Sequence, residues 1–203
     1  MERKTGYDGV VSRNLNRRIS RPITRVLAPT GITPNQVTFL SFLIALLASA
    51  AFVLGHNILG GVLAQFSSIV DGVDGEIARL KRQASPFGAL YDAVLDRYAD
   101  AAVIMGMILW SLRFERWPGT WPIGLLALLG SLMISYSSAR SEASTGVRFD
   151  RGVASFSTRD VRLFIVMLGS LAGQVYWTLA LLAVLTNAVV AYRLFFARRE
   201  LCG

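Results

Sequence analysis

Six of the chain's 13 acidic residues, Asp71, Asp74, Glu76, Asp92, Asp96 and Asp100, fall between positions 71 and 100, beside long apolar runs. A helix turns by about 100° per residue. With Asp71 at zero, Asp74 lies at about −60°, Gly75 at about +40°, Ala78 at about −20° and Arg79 at about +80°. These five share one face. Glu76 falls at about +140° and is excluded from that face. Gly88, Asp92, Asp96 and Asp100 recur every four residues, which also lines up one helical face. Carboxylates gathered this closely repel one another unless cations lie between them. Oxygen ligands at this density suit Mg²⁺, Mn²⁺ or Ca²⁺, and substrate phosphates commonly complete a Mg²⁺ shell. Gly75, Ala78 and Gly88 put no bulk on these faces. A nucleotide or another helix could therefore approach closely.

The run Asp71-x-x-Asp74-Gly75-x-x-Ala78-Arg79, eight residues, Gly88-x-x-x-Asp92-x-x-x-Asp96 resembles the signature of the CDP-alcohol phosphotransferases (CDP-alcohol phosphatidyltransferases). Thr33-Pro34-Asn35-x-x-Thr38 resembles the opening of that family's first span, and Tyr136 to Glu142, with Arg140, resembles its fourth. The resemblance implies six transmembrane helices, usually in a homodimer, with the site facing the cytoplasm. It implies metal-dependent transfer of a phosphoalcohol from a CDP-alcohol to a hydroxyl acceptor, with release of CMP. By the same resemblance Asp71, Asp74 and Asp92 are metal ligands for Mg²⁺ or Mn²⁺, two ions being expected. Asp96 is the general base and also touches the metal. Asp71, Gly75, Ala78, Arg79, Gly88, Asn35 and Thr38 line the nucleotide site. Asp100 lies outside the signature and is expected to support the site or to pair with a nearby arginine.

These residues need helices in a membrane to hold them. Of the 203 residues 53% are hydrophobic, and mean hydropathy is +0.48. No formal charge occurs from Val26 to Val70, from Trp117 to Ala139 or from Leu163 to Tyr192. A span needs about 20 apolar residues. The expected class is an all-α integral membrane protein with six spans, at roughly 34–55, 58–82, 86–112, 120–143, 158–174 and 176–198. A five-span alternative would merge the last two. His56-Asn57 and Gly60-Gly61 are expected to form the first turn, and the short link after the second span to make the second and third spans antiparallel neighbours. Residues 7–28 alternate Arg13, Arg17, Arg18, Arg21 and Arg25 with Leu15, Ile19, Ile23 and Val26, which predicts an interfacial amphipathic helix. The chain reads as one domain over 1–203, with 1–30 juxtamembrane and 31–200 the bundle.

The net charge of +8 fits the bias of cytoplasmic loops toward Lys and Arg, and nucleic acid is not needed to explain it. With six spans both termini and most of the basic residues face the cytoplasm, so the expected location is the inner membrane. Met1 to Arg25 lacks the apolar stretch of a signal peptide. Cys202 is the only cysteine, which rules out an intramolecular disulfide.

The acceptor is expected to be a phosphorylated alcohol. Arg140, Arg159 and Arg162 come to one membrane face, and the last two, at i and i+3, can act on one ligand. Arg148 and Arg151 read as plain loop charges. Asp8 to Ser20 and Ser157 to Phe164 most resemble the family branch that joins CDP-inositol to inositol phosphate, making di-myo-inositol phosphate phosphate. Some members of that branch carry a preceding cytidylyltransferase domain, which is not seen in this sequence. The phosphatidylinositol-phosphate and phosphatidylglycerol-phosphate synthases share the same site residues. A transporter with intramembrane carboxylates would account for the acids, but not for the Gly–Ala–Arg pattern between them.

Overall fold

Proline and its preceding residue set the starts of two helices. Thr33 is extended, and its hydroxyl accepts the Gln36 N–H while the Gln36 side chain accepts the Thr33 N–H at 2.8 Å. This reciprocal cap, with Pro34 at the first helical position, launches α2 (Pro34–Val53). Ser85 repeats the device: its hydroxyl accepts the Gly88 N–H at 3.0 Å, and Pro86 opens α4 (Pro86–Phe114). The remaining elements of this computed structural model are a π-helical turn at Ser12–Asn16, α1 (Arg17–Leu27), α3 (Asn57–Leu80), α5 (Thr120–Thr145), α6 (Arg159–Leu171) and α7 (Val175–Cys202). The structure describes residues 11–145 and 158–202, among which there is no strand. Asp8, Arg148, Arg151 and Ser157 lie outside them.

All six expected span regions are helical. Residues 158–202 form two helices, broken at Gly173 with φ +67°, and not one long helix. Among the described residues all the regular structure is helical, and α2, α5 and α7 are long and apolar enough to cross a bilayer, as a membrane protein requires. Helix α6, at 13 residues, is about 20 Å long, shorter than a hydrocarbon core of about 30 Å.

Two local expectations need correction. Gly60 and Gly61 lie inside α3, not in the turn, which is made at Gly55 with φ +95°. Their role is close packing: a Cβ at Gly61 would stand 2.5 Å from the Ser170 Cβ of α6. Helices α3 and α4 are also not intimate neighbours. Helix α2 packs along both of them, whereas α3 and α4 touch only sparsely. The gap between them is where the acidic faces meet.

One core joins Phe52, Met107, Ile108, Leu179 and Leu182 from α2, α4 and α7. A second joins Val37, Val70, Val73 and Ile77, with Ile23 and Leu27 of α1 packed on it. Helix α1 therefore docks on α3, but its inward face is largely polar. Ser20 and Thr24 are buried, while Leu15, Ile19 and Val26 are exposed beside Arg18, Arg21 and Arg25. The reason is Glu76, buried on the back of α3, which accepts from Arg17 Nη1 at 2.5 Å, Ser20 Oγ at 3.0 Å and Thr24 Oγ1 at 2.5 Å.

Candidate active site

The C-terminal half of α3 carries Asp71 and Asp74, and the N-terminal half of α4 carries Asp92, Asp96 and Asp100. Asp71, Asp74 and Asp92 each turn one oxygen into a common space, all three within 4.8 Å of one another. The N-terminal half of α2 supports them from below. Thr38 Oγ1 donates to Asp74 Oδ2 at 2.5 Å, and Ser41 Oγ lies 3.3 Å from Asp71 Oδ1. Asp92 Oδ1 is buried without a hydrogen-bond partner. A buried acceptor left in this state is costly unless something fills the space it faces. Three hard oxygens at this spacing plus an orphaned carboxylate oxygen fit a divalent cation.

Asp96 is not one of the close three. Its Oδ1 lies 2.9 Å from Arg159 Nη1, and its Oδ2 lies 3.3 Å from Arg97 Nη2. Arg159, at the start of α6, also reaches Asp71 Oδ2 at 3.0 Å and Asp100 Oδ1 at 3.2 Å. Asp100 is 4% exposed and accepts from Arg162 Nη2 at 2.5 Å as well. The expected arginine partner of Asp100 is thus a pair, Arg159 and Arg162. Both run from α6 into the acidic face of α4.

The expected nucleotide-binding positions lie on the open side. Arg79 is exposed and lies across Gly75, where a Cβ would stand 3.5 Å from its Nη1. A Cβ at Gly88 would stand 3.2 Å from Asn35 Oδ1, so α2 and α4 come together at that point. Ala78 is half-buried on the same face. Thr38 is committed to Asp74, so among these positions it positions a carboxylate. Arg140 is exposed on α5 and forms no ion pair among the described residues.

Two residues at this site were not anticipated. Ser41 lies one turn after Thr38, on the face of α2 that meets the acids, a spacing visible in the sequence. Arg97 had no sequence signal beyond adjacency to Asp96. Away from the acids, Arg193 of α7 is 6% exposed and ties α7 to α5, its Nη1 donating to Ile134 O at 2.7 Å and Ser138 Oγ at 2.8 Å.

Comparison with known proteins agrees with this geometry. The profile of the CDP-alcohol phosphatidyltransferase family matches residues 31–189. A bifunctional IPC transferase and DIPP synthase of Rubrobacter xylanophilus is 44% identical over 96% of this chain and 44% of its own length. The chain thus spans under half the length of that relative. An archaetidylinositol phosphate synthase of Pyrococcus horikoshii is 34% identical, over 91% of this chain and 95% of its own. The crystal structure of Mycobacterium tuberculosis phosphatidylinositol phosphate synthase with CDP-DAG bound superposes with a TM-score of 0.77 at 32% identity. That match covers 89% of this chain and 94% of the other. The same enzyme has been solved in complex with manganese and citrate, a match at TM-score 0.73 and 32% identity that covers 87% of each chain. With the eight signature residues on two facing helices and the profile spanning most of the sequence, this chain is an enzyme of the CDP-alcohol phosphatidyltransferase family.

Proposed function

We propose that this enzyme transfers a phosphoalcohol from CDP-inositol to inositol phosphate, giving di-myo-inositol phosphate phosphate and CMP. The observation that carries the reading is the carboxylate cluster with an arginine aimed into it from α6. The similarity to bifunctional IPC transferase and DIPP synthases supports the choice of inositol substrates.

In this reading Asp71, Asp74 and Asp92, with Asp96 beside them, would hold Mg²⁺ or Mn²⁺, two ions in all. Such ions, when bound, stabilise the attacking and leaving oxygens of an in-line displacement. Thr38 and Ser41 fix the orientation of Asp74 and Asp71. Arg79, over the bare surface of Gly75, pairs with the pyrophosphate, and Ala78, Gly88 and Asn35 leave room for the cytidine. Asp96 takes the proton of the acceptor hydroxyl. The acceptor oxygen bonds to the phosphorus that carries the donor alcohol, and the bond from that phosphorus to the bridging oxygen breaks. The electron pair leaves with CMP. Arg159 binds the acceptor phosphate. Arg162 is buried on Asp100 and acts through Arg159. Arg140 completes the acceptor side on α5.

The wider assignment is a single-domain protein over 1–203 that crosses the inner membrane six times. Helix α1 lies on the bilayer surface, both termini and the site are cytoplasmic, and the assembly is a homodimer.

A specific feature favours a second reading, lipid synthesis. A groove lined by Ile32, Phe39, Leu40, Leu43 and Tyr91 begins beside Asn35, and an acyl chain of a CDP-linked lipid would fit it. The test gives purified protein CDP-inositol or CDP-diacylglycerol, each with inositol phosphate or glycerol phosphate, and identifies products by mass spectrometry. Product only from CDP-inositol supports the first reading. Product only from the lipid donor replaces it with the second.

A further inference from the structure

Arg159 has an unusual relation to the carboxylates it touches. Its Nη1 lies 3.0 Å from Asp71 Oδ2 and 2.9 Å from Asp96 Oδ1, yet this buried nitrogen makes no hydrogen bond of proper direction to either. It is held there by charge. Its Nε, in contrast, donates a directed hydrogen bond to Asp100 Oδ1 at 3.2 Å. Asp100 is itself fixed by Arg162 at 2.5 Å. One end of the guanidinium is therefore anchored, and the other stands where positive charge is needed but geometry is not satisfied.

Asp71 belongs both to the oxygens that fit a divalent cation and to the contacts of Arg159. Two positive groups cannot both hold that carboxylate without repelling each other across a few ångströms. A divalent ion brings more charge and can also engage the unpartnered Asp92 Oδ1.

We propose that Arg159 is the built-in counterion of the carboxylate cluster, pivoted on Asp100, and that a divalent cation binds by displacing its Nη1 from Asp71 and Asp96. The released end of the guanidinium then faces the cluster's open side, where it can take a phosphate with paired donors. Loading of metal arms the acceptor clamp. This last step rests on the acceptor reading given above, whereas the counterion role does not.

The test measures Mn²⁺ binding to the purified, nucleotide-free protein by electron paramagnetic resonance of the free ion. Arg159→Gln removes the competing charge and should bind Mn²⁺ at least tenfold more tightly than the wild type. Arg159→Met, uncharged and of similar reach, should do the same. Either variant that gives a cooperative thermal melt can be read, so one failure to fold does not end the test. Arg159→Lys keeps the charge and should stay within about threefold of wild type. Equal or weaker Mn²⁺ binding by a folded neutral variant overturns the proposal. The acceptor KM of the same variants separates the two ideas. Tighter Mn²⁺ with unchanged acceptor KM keeps the counterion and removes the acceptor role. Raised acceptor KM with unchanged Mn²⁺ affinity does the reverse.

Discussion

Glu76→Gln and Asp71→Asn are the same chemical change made on two faces of α3, and they should have opposite consequences. Glu76 is 9% exposed and accepts three hydrogen bonds from α1, two at 2.5 Å and one at 3.0 Å, one of them from Arg17. The amide keeps a single acceptor oxygen and sets an NH₂ group against a donor, while Arg17 loses its counter-charge. A hydrogen bond to a charged group contributes about 1.5–3 kcal/mol. The loss should therefore be about 2–3 kcal/mol, which for a chain of this size lowers the melting temperature by roughly 4–12 °C. Turnover measured well below the melt should change less than about threefold, because a stability loss leaves the cluster intact while the protein is folded. Asp71→Asn should reverse the pattern, with CMP release down by about a hundredfold or more and the melt little changed. Tryptophan fluorescence of the detergent-purified protein reads the melt, and CMP release reads the chemistry. Glu76→Gln protein that melts like wild type but has lost turnover as fully as Asp71→Asn would refute the assignment of faces.

Chelation with excess EDTA should abolish CMP release, and added Mg²⁺ or Mn²⁺ should restore it; full turnover in EDTA contradicts the cation reading. Asp96→Asn preserves size but removes the proton acceptor, so kcat should fall by about 10²–10⁴ while equilibrium binding of the CDP-alcohol survives. Weakened donor binding of equal size would instead make Asp96 a binding residue. Gly61→Val should lower the melt more than Gly72→Ala. A side chain at 61 meets Ser170 and the Met167 backbone, whereas position 72 opens onto free space; equal melts would deny the close α3–α6 contact.

Much of the site was legible because a helix converts spacing into direction. Asp71, Asp74, Asp92 and the glycines needed only the period of 3.6 residues to be placed on facing surfaces, and the exclusion of Glu76 followed from the same arithmetic. The starts of α2 and α4 were legible because Thr33-Pro34 and Ser85-Pro86 carry local capping chemistry. What could not be read was pairing over long sequence distance. Nothing near position 76 announces that its partners are Arg17, Ser20 and Thr24, so the largely polar face that α1 turns to α3 could not be read from the sequence. Adjacency in sequence brought the acids of α3 and α4 together as expected, but it did not show how far apart the two helices stand. Helix α2 packs along both and leaves between them the gap that the carboxylates share. Gly60 and Gly61 resemble a turn because glycine pairs commonly mark one. Their actual partners, Phe52 on α2 and Ser170 on α6, lie on other elements. Arg159 and Arg162 were recognised as a unit, but their hold on Asp100 depended on the placement of α6 against α4, which no local pattern encodes.

The central claim is that Asp71, Asp74, Asp92 and Asp96 form a cation-dependent centre that cleaves a CDP-alcohol in the presence of a hydroxyl acceptor. The most direct measurement is CMP release by the purified wild-type protein from CDP-inositol, with and without inositol phosphate and with and without Mg²⁺. Stoichiometric CMP and coupled product should form only when acceptor and cation are both present. CMP formation that proceeds equally without acceptor or without the cation, or no CMP from any CDP-alcohol, would contradict it.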